Sequence, residues 1–120
     1  MRKRNGNDGL DRIEIIEKTT MYVTKSLIKL HLNDEPGSLK EKRRVIKSLK
    51  ERVQNKFKVS IAEVGDNNLW QNAQLGISFV CVDGARAERI LSSILGFIEA
   101  NYTVEIIENY TETEKIKKAP

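Results

Sequence analysis

Cysteine, histidine and tryptophan occur once each in 120 residues, proline only twice, and aromatics make up 6% of the chain. The lone Cys81 excludes an intrachain disulfide, which fits a reducing, cytoplasmic setting. One histidine and one cysteine exclude a His/Cys zinc site within a single chain. The seven glycines are scattered, with no phosphate-cradling G-x-x-x-x-G-K run and no nucleophile elbow. No apolar run approaches the ~20 residues that cross a bilayer, so no membrane partner is expected. Met1-Arg-Lys-Arg-Asn-Gly carries charge but no apolar segment behind it, which argues against a secretory signal. No residue set implies a cofactor or a metal, and nothing in the composition demands an enzyme.

What the chain has in quantity is basic charge in one place. Residues 40–58 hold nine Lys or Arg against two acids, Glu41 and Glu51, a local charge of +7 in a chain that totals +4. The pI near 9.2 permits an anionic partner such as RNA.

The chain reads as one domain with two tails: an extension over residues 1–20, a compact part over 21–110 and a frayed tail over 111–120. Residues 1–20 lack a period, and Met21 falls where alternation begins. The extension opens on Arg2, Lys3 and Arg4, a second candidate for nucleic-acid contact. In the first strand Ile28, Leu30 and Leu32 share one face, and Lys25, Leu27, Lys29 and His31 the other. Asn33-Asp34-Glu35-Pro36-Gly37 breaks the strand, and Ser38 with Glu41 has capping-box spacing. A helix follows from Leu39 to about Asn55. At about 100° per residue its apolar stripe is Leu39, Val45, Ile46, Leu49, Val53 and Phe57. Lys40, Arg43, Arg44, Lys47 and Lys50 form an arc on a neighbouring flank, broken mainly by Glu51. Lys42 alone projects into the stripe, where its stem is expected to pack and its ammonium to snorkel or meet a carboxylate. Glu63, near the end of the next strand, is expected to be a partner for Lys42 or another cation rather than a catalytic carboxylate.

A second strand is predicted over residues 57–64, a connection at Gly65-Asp66-Asn67-Asn68, and a long third strand over 70–82. In that strand Ala73, Leu75, Ile77, Phe79 and Cys81 share one face, and Trp70, Asn72, Gln74, Gly76, Ser78 and Val80 the other. Asp83 caps a second helix whose Ala87, Ile90, Leu91, Ile94, Leu95 and Ile98 follow helical spacing, and a last strand covers 102–110. The order β-α-β-β-α-β predicts an α+β, ferredoxin-like plait: a four-stranded antiparallel sheet with both helices on one face. The uncovered face and the free edges favour self-association, with Leu27, His31 and Trp70 as candidate homo-oligomer contacts. The acidic loop after the first strand is unsuited to anions. The central strands offer few aromatics for base stacking in the manner of RNA-recognition sheets.

The blocks Ser-Leu-Lys-Glu-Lys-Arg-Arg-Val-Ile-Lys-Ser-Leu at 38–49, Phe-x-Val-Ser-Ile-Ala-Glu-Val-Gly at 57–65, Leu-Trp-Gln at 69–71 and Leu-Gly-Ile at 75–77 resemble the YlxP-like family of small bacterial domains. The resemblance covers residues 21–110. It implies a ferredoxin-like fold, homo-oligomers, no established catalytic activity and a link to translation, since such proteins are encoded near translation and ribosome-maturation genes. The chain departs from the family pattern with Asp66 in place of a histidine, Asn68 in place of an aspartate and Gln74 in place of a glutamate. That dilutes any histidine–acid chemistry in this loop. The expected function is therefore a non-enzymatic accessory factor that binds ribosomal RNA or a ribosomal subunit through Lys40, Arg43, Arg44, Lys47 and Lys50. The alternative is a self-associating regulatory or ligand-binding module that uses its open sheet face.

Overall fold

A computed structural model describes residues 19–33 and 37–118. The elements are β1 (Thr19–Leu32), α1 (Leu39–Phe57), β2 (Ser60–Gly65), β3 (Asn72–Cys81), α2 (Gly84–Asn101) and β4 (Val104–Lys118). The strands form one sheet in the order β2-β3-β1-β4, every neighbour antiparallel. This is the ferredoxin-like plait.

One core joins the sheet to both helices. Ile28, Leu30 and Leu32 of β1 and the five odd-numbered residues 73–81 of β3 are buried with Ile46, Leu49 and Val53 of α1 and Ala87, Leu91, Ile94 and Ile98 of α2. The period of two in the strands and of 3.6 in the helices selects these residues and leaves the other sheet face open. α1 starts where Ser38 Oγ accepts the Glu41 N–H at 3.2 Å, and α2 where Asp83 accepts the Ala85 N–H at 2.9 Å. Both satisfy first-turn donors that have no partner inside the helix.

α1 runs to Phe57, two residues past the expected end. Phe57 continues the apolar stripe and meets the Phe97 ring edge-on, centroids 5.7 Å apart. Lys58 then turns left-handed, φ 58° and ψ 48°, and β2 starts only at Ser60. A side chain in that conformation is strained where glycine is not. Lys58→Gly is expected to raise stability by about 0.5–1 kcal/mol in urea unfolding. A loss would show that the lysine makes a compensating contact.

The tail expected over residues 111–120 is corrected by the structure. β4 continues to Lys118 and pairs with β1 back to Thr19, so Thr19 and Thr20, assigned above to the extension, lie in β1. Residues 1–18, with Arg2, Lys3 and Arg4, lie outside the described residues, as do 34–36 and 119–120. The physical reason is a β-bulge. Lys29 pairs with Glu108 and Leu30 with Ile106, so Ile107 is extra and the alternation changes phase. Beyond it, Asn109, Thr111 and Thr113 share the face of Ser26 and Thr24 and bond to them. Ser26 Oγ donates to Asn109 Oδ1 at 2.8 Å and lies 3.0 Å from Thr111 Oγ1, and the Thr24 and Thr113 hydroxyls are 3.1 Å apart. Hydroxyls and paired charge hold this part of the ribbon, without an apolar alternation.

Candidate nucleic-acid interface

α1 divides its surface three ways. The buried stripe fixes its orientation on the sheet. A second flank faces α2. There the Arg52 guanidinium lies over the Phe97 and Tyr102 rings, 5.1 and 5.4 Å from their centroids. It also donates to Tyr102 Oη at 3.3 Å and to Asn101 Oδ1 at 3.2 Å. Ser48 Oγ is 2.9 Å from the same Tyr102 hydroxyl, and Lys56 Nζ sits 5.8 Å from the Phe97 centroid. Arg52 and Lys56 thus serve as helix–helix packing. Sequence reasoning had no signal for this, because the aromatic partners of Arg52 lie some fifty residues away in the chain.

The third flank carries Lys40, Arg43, Arg44 and Lys47, all exposed, and Lys50, half-buried. On the helical wheel it lies across the stripe from Arg52 and Lys56. Among the described residues none of the five takes part in an ion pair. Elsewhere the basic residues are spread over several elements, and part of their charge meets carboxylates. α2 holds two arginines and two glutamates. On the open sheet face Lys25 Nζ lies 3.4 Å from Glu112 and 3.2 Å from Glu114, and Lys29 Nζ lies 3.7 Å from Glu108. Hydrogen bonding to Glu114, then its charge, then Glu112, raises the Lys25 pKa above the ordinary 10.5. Because the folded value is the higher one, this contribution is present at neutral pH and is lost only as pH rises through the raised value. The pair is fully exposed, so salt screens it.

Lys42 is buried, its side chain 1% exposed, and Nζ lies 3.2 Å from Glu63 Oε2. The ammonium also donates to the Asp66 carbonyl. Glu63 Oε2 is buried with no hydrogen-bond partner, so this charge contact is what compensates it. The carboxylate expected for Lys42 is therefore Glu63, and the pair locks the start of α1 to the end of β2.

The open face carries Leu27 and His31, the latter with Nδ1 3.2 Å from Asn72 Oδ1. A shallow depression of about 760 Å³ crosses this face, lined by Leu27, Ala62, Val64, Gly76 and Tyr110. Val64 is bulged out of the β2–β3 pairing, and a Cβ on Gly76 would stand 3.2 Å from its Cγ1. Trp70 lies outside the strands. β3 begins at Asn72, and Trp70 lies in the connection over residues 66–71 that precedes it, 51% exposed. This corrects the strand boundary expected at residue 70. Among the described residues no three His, Cys, Asp or Glu side chains group as for a metal ion. Among them, too, no helix is long and apolar enough to cross a membrane.

The chain is 44% identical over 80 residues to "Uncharacterized protein YlxP" of Bacillus subtilis (strain 168), covering 67% of this chain and 85% of that one. Among solved structures it is similar to the de novo designed protein Foldit4, at 18% identity and a TM-score of 0.41, over 82% of this chain and 98% of that one. Residues 23–111 match the family described as "Protein of unknown function (DUF503)", and the chain belongs to that family, with YlxP as a relative.

Proposed function

We propose that this chain is a non-enzymatic accessory factor that binds ribosomal RNA, in a ribosomal particle or free, through the outer flank of α1. The observation that carries the reading is the flank itself: five cations gathered on one side of one helix, with no ion pair among the described residues. Such a surface suits a polyanion whose charges are spaced along a backbone. The link to translation genes implied by the YlxP-like resemblance selects ribosomal RNA among polyanions. Co-sedimentation with ribosomal subunits at two ionic strengths tests it. Binding at low salt and release at high salt is expected, and no binding at low salt would overturn it.

One observation favours a second reading, a self-associating module. Of the eight large apolar side chains exposed among the described residues, Val64, Val80, Val82, Tyr110 and Ile116 belong to strands or strand ends whose alternation or phase places them on the open face. Light scattering tests this reading. A mass above that of the monomer, lowered by Tyr110→Lys, is expected under it, and a monomer at high concentration removes it.

A further inference from the structure

The connection between β2 and β3 is short and tied at both ends, with Asn67 and Asn68 at the tip of its turn and two apolar residues after it. Asp66 sits at φ 60°, and its carbonyl accepts both the Leu69 N–H at 3.0 Å and the buried Lys42 ammonium. Leu32 N–H donates to the Gln71 carbonyl at 2.7 Å, tying the other end of the connection to β1. Between these anchors Leu69 and Trp70 are 48% and 51% exposed. A half-exposed indole beside a turn tied on both sides loses little freedom when a ligand covers its open part.

The anchor also fixes which end of the domain the turn occupies. Lys42 reaches the turn from the first turns of α1, and Lys40, Arg43 and Arg44 lie in the same turns of the helix, on its outer flank. The exposed tryptophan and the start of the cationic flank therefore lie at one end of the domain. Glu41 and Asp66 also lie at this end, the one on α1 and the other in the turn. Their charges disfavour a phosphate beside the indole and leave a neutral flat ring as the group that fits. No other exposed aromatic competes at this end. Among the described residues Phe79 is buried, Tyr22 packs near Gly84, and Tyr110 is on the open sheet face.

We infer that Trp70 is a stacking platform for an unpaired base of an RNA whose backbone runs along α1. The inference rests on the reading of α1 as a phosphate-binding flank and adds the form of the ligand: a strand with an accessible base, a loop or single-stranded segment in preference to a continuous duplex. Sequence-tolerant stacking of this kind needs no base-edge hydrogen bonds and places no demand on the sheet face.

Trp70 is the only tryptophan, so its emission reports on this position alone. The full chain is titrated with fluorescently labelled single-stranded oligoadenylate, with an RNA duplex of equal length and with inorganic polyphosphate, following both label anisotropy and tryptophan emission. Oligoadenylate is expected to quench the emission, and polyphosphate to bind without quenching. Trp70→Ala is expected to weaken oligoadenylate binding by about 5- to 150-fold, with polyphosphate affinity unchanged as the sign of an intact fold, while Trp70→Phe keeps most of the affinity. Oligoadenylate that binds without changing the emission, or binds Trp70→Ala as well as wild type, overturns the stacking and leaves the α1 reading standing. So does a Trp70→Ala variant that loses polyphosphate equally, or one that only dissociates an oligomer. Failure of all three probes to bind wild type at low salt overturns both.

Discussion

Replacing Lys42 by methionine is expected to destabilise the domain by about 3–5 kcal/mol, the usual penalty for removing one partner of a buried ion pair. Methionine keeps an unbranched stem of similar length, so the packing against the α1 stripe survives and the loss is electrostatic. The carboxylate left behind is poorly placed to recover. Glu63 Oε2 is buried and has no hydrogen bond to fall back on. The Asp66 carbonyl loses its ammonium donor as well and keeps only the Leu69 N–H. Urea unfolding checks this: the midpoint should fall with the slope unchanged. Against a total stability of about 5–15 kcal/mol for a typical domain, such a loss unfolds a substantial fraction of the protein on warming. The double variant Lys42→Met/Glu63→Leu separates charge from packing. It removes both ions together and is expected to recover most of the stability, because no uncompensated charge remains. Equal destabilisation by the single and double variants would show that the Lys42 stem, and not its charge contact, holds α1 to β2.

That pair was legible in the sequence for a physical reason. A lysine at the centre of an apolar helical stripe must bring its charge to a carboxylate or to water, and Glu63 is the acid that strand alternation sends to the same side as Ile61. The fold was legible through the same kind of constraint. Ile28, Leu30 and Leu32 against Lys25, Leu27, Lys29 and His31 assign the two faces of β1 without any tertiary information, and the order of elements then limits the topology to the plait.

The parts that escaped are those where local pattern and tertiary pairing part company. The bulge at Ile107 changes the phase of β4, so the run from Thr111 reads as a polar tail although it is strand to Lys118. Phe57 fits both the helical stripe and the start of a strand, and the helix takes it because Phe97 waits across the helix pair. Trp70 looks like the opening of β3. The turn bonded at Asp66 instead delays the strand to Asn72, so Trp70 stands in the connection before it. Arg52 and Lys56 count toward the basic charge of α1 in the sequence, yet both are spent on aromatic rings between the helices.

This division of the helix sets the second large effect. If Lys40, Arg43, Arg44, Lys47 and Lys50 each neutralise one phosphate, the binding constant should fall with salt at a log–log slope of about −3.5 on single strands and about −4.5 on duplex. Between ~50 and ~200 mM salt that is a loss of about 100- to 500-fold. Arg43→Glu, Arg44→Glu and Lys47→Glu together remove three of the five contacts and set three repulsive charges among them. The combined variant is expected to bind ribosomal subunits more than about 1000-fold more weakly at low salt, and its remaining salt slope should fall to about −2 or less. Because all three side chains are exposed, stability should stay within about 0.5 kcal/mol of wild type. Lys42 and Arg52 must be left alone in this variant, since either change would confound binding with unfolding or with loss of the helix–helix contact. Lys25→Gln is the matched control. Its charge already meets Glu112 and Glu114, so its loss should leave the slope unchanged. A triple variant that binds with wild-type affinity, or a Lys25→Gln that weakens binding as much as the triple variant, would move the contact off α1 and onto the sheet.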